Sequence, residues 1–201
     1  MMQLYWCPQT RASRAVWMLE EAGCDYEKVL IDIRDPEARS RADFQAVSPL
    51  GKVPALRDGD VAVADSAAIC LYVADRYAAG TLAPAIDDPT RGDFLFWLMF
   101  TPGVIEPCMA EAFGTAQANR VSHGWGDWES MIATLEARME DRTWVMGDRF
   151  TAADVLVGSS VRFMQLFGIM PDSDILKAYH ARCEARPALQ RAVDEPALAD
   201  I

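Results

Sequence analysis

The apolar residues of the first eighty positions change their spacing several times, and each change marks an element. Residues 3 to 7 read as a short strand that Pro8-Gln9-Thr10 ends. From Ala12 the period lengthens. Ala15, Val16, Leu19 and Ala22 recur at helical intervals, Glu20 and Glu21 fall on another face, and Gly23 is a stop signal. Val29, Leu30, Ile31 and Ile33 predict a second strand over Tyr26 to Ile33, followed by a polar helical segment from Pro36-Glu37 towards Phe44. Pro49, Gly51 and Pro54 break structure before a strand at Ala55 to Arg57, and Asp58-Gly59 turns it back into Val61 to Ala64. Ala67, Ile69, Leu71, Tyr72, Val73 and Tyr77 then predict a helix that ends at Gly80. Alternating strands and helices closed by a hairpin imply a mixed sheet with helices packed on it.

Beyond Leu82-Ala83-Pro84-Ala85 the strand signals disappear. Residues 90 to 113 form a long apolar helical stretch, bent or broken near Pro102-Gly103 and Pro107. Trp128, Met131, Ile132, Leu135 and Met139 recur at intervals of three and four. Residues 151 to 167 are the most hydrophobic run and the expected centre of this half. Shorter helices over 174 to 185 and 187 to 193 are split by Pro187. The chain therefore reads as two domains, 1–80 and 90–201, joined by a linker over 81–89.

Bulk properties narrow the class. The net charge of −11 argues against a nucleic-acid partner, which needs clustered Lys and Arg rather than arginines dispersed among carboxylates. No apolar run reaches the roughly 18 residues of a membrane span, and Met1-Met2-Gln3-Leu4-Tyr5 has no signal-peptide pattern. Cys7, Cys24, Cys70, Cys108 and Cys183 are scattered, with no CxxC pair, which suits a reducing cytoplasm better than a disulfide or zinc framework. His123 and His180 have no partners at metal-ligand spacing, so no metal site is expected.

Three local patterns carry a resemblance. Pro49-Leu50-Gly51-Lys52-Val53-Pro54-Ala55-Leu56 is similar to the cis-proline loop of the glutathione S-transferase family. Asp65-Ser66-Ala67-Ala68-Ile69 is similar to its glutathione-clamping motif, and Gly147 to Val155 to the helix-start signature of its carboxy-terminal domain. The three stand in the family's order, and the match runs from residue 3 to about 190. The resemblance implies a thioredoxin-like N-terminal domain with a four-stranded mixed sheet and an all-helical C-terminal domain that shapes the acceptor pocket. It also implies glutathione as co-substrate, a small electrophile as second substrate, a homodimer and a role in detoxification.

Glutathione carries two carboxylates, an ammonium and a thiol, and each needs a complementary group. On the family's pattern, the backbone of Val53 at the bend before a cis Pro54 pairs with the cysteinyl part of the peptide, a form of strand addition. Ser66, at a helix start where N–H groups and the dipole attract anions, takes the γ-glutamyl carboxylate. Asp65 holds the neighbouring ammonium and Lys52 the glycyl carboxylate. Ser66 also has the composition of a plain helix cap, and the two roles are compatible.

At the thiol end Cys7, Thr10, Arg11 and Ser13 compete, with Thr10 ranked first and Ser13 and Cys7 behind it. Counted back from Gly23, Thr10 aligns with the serine of theta-like members, while Arg11 occupies the place of the cysteine of the bacterial beta class. Three functions follow for comparison: thiolate transfer to an electrophile, thiol-disulfide reduction through Cys7, and glutathione binding without chemistry. Phe94, Phe96, Trp97, Met99, Phe100, Met109 and Phe113 divide between core and acceptor pocket.

Overall fold

The structure, a computed structural model, describes residues 1–117 and 119–195. Contacts divide the described residues into two units: Met1–Leu82 together with 186–195, and Ala83–Ala185.

In the first unit β1 (Met2–Trp6), β2 (Tyr26–Leu30), β3 (Ala55–Asp58) and β4 (Val61–Ala64) form a sheet in the order β2-β1-β3-β4. β1 runs parallel to β2, with Tyr5 opposite Val29, and antiparallel to β3, with Leu4 opposite Leu56. β3 and β4 are the predicted hairpin. A parallel pair needs a crossover, and α1 (Ala12–Ala22) supplies it. That helix stops at Gly23, whose φ of 63° is the left-handed conformation a glycine adopts without steric cost.

Two details differ from the reading of the sequence. β2 ends at Leu30: Ile31 N–H makes a last bond to Trp6 C=O at 2.9 Å, and then Asp32 turns the chain by accepting from Arg34 N–H at 2.9 Å. The polar segment is two short helices, α2 (Pro36–Ser40) and α3 (Ala42–Gln45), parted at Arg41, whose ψ of 130° is not helical. Phe44 of α3 stacks on Tyr5 at 5.6 Å within a cluster that includes Ile31, Val47 and Ala55. α4 (Ser66–Tyr77) packs against α1 and against β3 and β4.

In the second unit α5 (Arg91–Phe100), a π-helical turn (Thr101–Ile105) and α6 (Glu106–Ala112) follow without interruption. The bend expected at Pro102-Gly103 takes this form because Pro102 has no N–H to donate, and Glu106 N–H reaches Thr101 C=O, five residues back. α7 (Trp128–Met139) opens on Asp127, which accepts from Ser130 N–H at 2.8 Å, and buries Met131, Ile132, Leu135 and Met139. α8 (Ala152–Leu166) is buried from Ala152 through Val161, and α9 (Asp174–Glu184) packs on α7 and α8.

Asp154, fully buried near the start of α8, accepts from Val145 N–H at 2.7 Å, Thr151 N–H at 2.9 Å and Tyr179 O–H at 3.1 Å. Burial pushes its carboxyl up to about 6 against the pull of those donors.

α10 (Pro187–Val193) packs on α1, in the first unit, whereas its place in the chain groups it with the helical half. Glu21 of α1 accepts from Arg186 Nε at 2.5 Å and from its Nη2 at 2.6 Å, and Arg191 Nε donates to Glu20 at 2.6 Å. The acidic face that the sequence shows only as polar is the seat of this helix.

Candidate functional site

The first unit contains a cleft of about 670 Å³ with three walls: Arg11 at the start of α1, the loop from Ser48 to Pro54, and Ala64-Asp65-Ser66. Five of the residues singled out in the sequence, Lys52, Val53, Pro54, Asp65 and Ser66, line it together.

The loop is built by its own side chains. Ser48 is buried, and its Oγ donates to Lys52 C=O at 2.8 Å and accepts from Lys52 N–H at 2.9 Å. The Val53–Pro54 peptide is cis. Among the described residues no hydrogen bond engages the backbone N–H or C=O of Val53, so both groups are open to a guest. Lys52 is exposed beside them.

The opposite wall is a helix start. Asp65 Oδ1 accepts from Ala67 N–H at 2.8 Å and Ala68 N–H at 3.3 Å, which makes Asp65, not Ser66, the cap of α4. Ser66 is thereby the first helical residue. Neither its N–H nor its hydroxyl has a hydrogen-bond partner among the described residues, so both can receive an anion at the positive end of the helix. Asp65 has φ 81°, and Gln9, with φ 57°, is the other non-glycine residue with positive φ among the described residues. Backbone held in such regions concentrates at functional sites, and here one instance lines the cleft while the other stands two residues before Arg11.

The three thiol-end candidates stand beside the cleft rather than on its walls. Thr10 Oγ1 donates to Cys7 C=O at 2.7 Å and accepts from Ala12 N–H at 3.1 Å. Ser13 Oγ donates to Thr10 C=O at 3.1 Å, and Cys7 is buried. The wall at this end is Arg11. Sequence reasoning missed the part that Ser48 plays. Its signal was present, since a serine ahead of proline in a turn commonly bonds to nearby backbone.

A mixed four-stranded sheet with a cleft between a cis-proline bend and a helix start, in a chain with a separate all-helical unit, defines the class: a thioredoxin-like domain joined to a helical one. Residues 6–76 match the family described as glutathione S-transferase, N-terminal domain, and residues 114–194 match glutathione S-transferase, C-terminal domain. The chain belongs to the glutathione S-transferase family. It is 30% identical over 200 residues, 89% of each chain, to a probable glutathione S-transferase, GSTF2, of Oryza sativa subsp. japonica. It is 25% identical over 217 residues, 100% of this chain and 98% of the other, to the disulfide-bond oxidoreductase YfcG of Escherichia coli strain K12. A solved structure of a glutathione transferase family member from Pseudomonas fluorescens Pf-5, with two glutathione bound, superposes with a TM-score of 0.77 at 27% identity, covering 97% of this chain and 93% of that one.

Proposed function

We propose that the cleft binds glutathione and that the protein is a glutathione transferase presenting the thiolate to a small apolar electrophile. The observation that carries this is the pairing of two unsatisfied surfaces: the open N–H and C=O of Val53 on one wall, and the open N–H and hydroxyl of Ser66 on the other. The first suits an extended peptide and the second a carboxylate. Asp65 uses Oδ1 as the cap and has Oδ2 to offer the γ-glutamyl ammonium, while Lys52 borders the same cleft for the glycyl carboxylate. Holding the thiol at an electrophile supplies rate through proximity, and a donor at the sulfur supplies charge stabilisation.

Calorimetric titration with glutathione tests the site. Ser66→Ala should weaken binding by about 1 to 3 kcal/mol, the value of a hydrogen bond to a charged group. Wild-type affinity in both Ser66→Ala and Asp65→Ala would remove the clamp from this place. Turnover of an aryl halide tests the transfer.

Disulfide reduction is a second reading, supported by the likeness to the disulfide-bond oxidoreductase along the whole chain. Burial of Cys7 at 1% exposure weighs against a route through its thiol. Reduction of a mixed disulfide that is lost in Cys7→Ser would favour that route. A homodimer in the cytoplasm completes the proposal. Half-exposed Phe96 and Met99 on α5 offer an apolar surface for self-association, and free cysteines are at home in a reducing compartment. Light scattering that gives a monomer mass at micromolar concentration would set the dimer aside.

A further inference from the structure

Ser48 is 1% exposed and spends its hydroxyl twice on a single residue, donating to Lys52 C=O and accepting from Lys52 N–H. Gly51 N–H closes the same turn on Ser48 C=O at 2.8 Å. Gly51 has φ 60°, and a Cβ there would lie 2.9 Å from Gln45 Nε2, which is itself bonded to Arg39 C=O at 2.7 Å. Residues 48 to 52 therefore make a closed ring braced by α3. The next residue is Val53, with its backbone groups open to the cleft.

A guest that adds as a strand reads a row of backbone donors and acceptors, and a slip of one residue reverses which way its side chains point. The direction of the Val53 pair is set by how the residue before it, Lys52, is held. Ser48 holds it by bonding both its backbone N–H and its C=O. We infer that Ser48 is a positioning residue of the glutathione site: by bonding both backbone groups of Lys52 it fixes the direction in which the open backbone pair of Val53 is presented. The inference rests on the glutathione reading above. Ser48 itself is given no contact with the reacting sulfur, so its effect belongs to binding and register rather than to the transfer step.

The experiment compares wild type, Ser48→Ala and Ser48→Thr by calorimetry with glutathione and by steady-state turnover of an aryl halide. Ser48→Ala should raise Kd and KM for glutathione about tenfold, as loss of one or two ordinary hydrogen bonds holding a binding conformation would. Its kcat at saturating glutathione should stay within about twofold of wild type, because uniform binding is what is lost. The threonine hydroxyl should restore most of the affinity. A merely structural role would instead lower the unfolding midpoint and reduce kcat with the folded fraction, leaving KM in place.

Amide hydrogen exchange on the wild-type chain keeps the inference open to refutation if Ser48→Ala fails to fold. Without ligand the Lys52 amide should be protected and the Val53 amide fast, and glutathione should slow Val53. A Lys52 amide as fast as Val53, or a Val53 amide that glutathione leaves unchanged, overturns the assignment. So does wild-type Kd in soluble Ser48→Ala, which leaves the glutathione reading standing. A wild-type chain that binds no glutathione overturns both.

Discussion

The Thr10 hydroxyl has one proton, and Cys7 C=O holds it at 2.7 Å. To donate to a thiolate the hydroxyl must give up a neutral bond worth about 1 kcal/mol for one to a charged acceptor worth about 1.5 to 3 kcal/mol, so the exchange runs downhill. The same exchange is open to Ser13, whose proton rests on Thr10 C=O, but Thr10 is the direct neighbour of cleft-lining Arg11 and Ser13 stands two residues from it. If Thr10 is the donor, Thr10→Ala should raise the pKa of the bound thiol by about one unit, equivalent to 1.4 kcal/mol, with glutathione affinity nearly intact. Ser13→Ala and Cys7→Ala should leave that pKa alone. The thiolate ultraviolet absorbance of the bound peptide against pH reads all three, and a shift confined to Ser13→Ala or Cys7→Ala would move the assignment there. The sequence could rank these residues but not orient their protons, because the turn residue Gln9 and the bonds around it are three-dimensional facts.

The start of α8 shows how a cap becomes a core element. Thr151 and Asp154 have the spacing of a capping box at the start of the most apolar helix of this half, where an ordinary cap contributes about 0.5 to 2 kcal/mol. In the fold Asp154 also accepts from Val145 N–H and Tyr179 O–H, tying the chain before α8 and helix α9 to one carboxylate. Asp154→Ala would leave several buried donors unsatisfied, so the expected cost is about 3 kcal/mol or more, beyond an ordinary cap. An unchanged urea midpoint would mean that packing alone sets the helix. Burial raises the folded pKa to about 6, above the usual aspartate value, so between roughly pH 4 and 6 the native state holds a proton that the unfolded chain releases. The stability this contributes is complete below about pH 4 and is lost as pH climbs through about 6. Wild type minus Asp154→Asn should therefore show a stability difference that shrinks across that window. A difference flat with pH would show that the donors around Asp154 keep it charged throughout. Strand and helix order were legible because burial follows period. The bonds from Val145 and Tyr179 were not, because those residues stand nine and 25 positions from Asp154 and carry no local pattern.

At the scale of the molecule, the grouping of α10 with the first unit was the part of the architecture least visible in the sequence, since it depends on pairs about 165 residues apart. The strength of that seat should be unequal along its length. Glu21 is 7% exposed and accepts from both arms of Arg186 and from Trp17 Nε1 at 2.8 Å, whereas Arg191, which pairs with Glu20, is 56% exposed. Removing one partner of a mostly buried, bidentate pair strands desolvated donors and costs about 3 kcal/mol, while an exposed pair in water contributes about 0.5 kcal/mol. Glu21→Ala should therefore lower the urea unfolding free energy by several times as much as Arg191→Ala. Salt should erase the smaller effect and spare most of the larger one, because buried pairs are screened less. Burial of Ala188, Leu189 and Ala192 gives α10 an apolar contribution that neither substitution touches. Equal losses in the two variants, both abolished by salt, would mean that this apolar face alone holds α10 on α1.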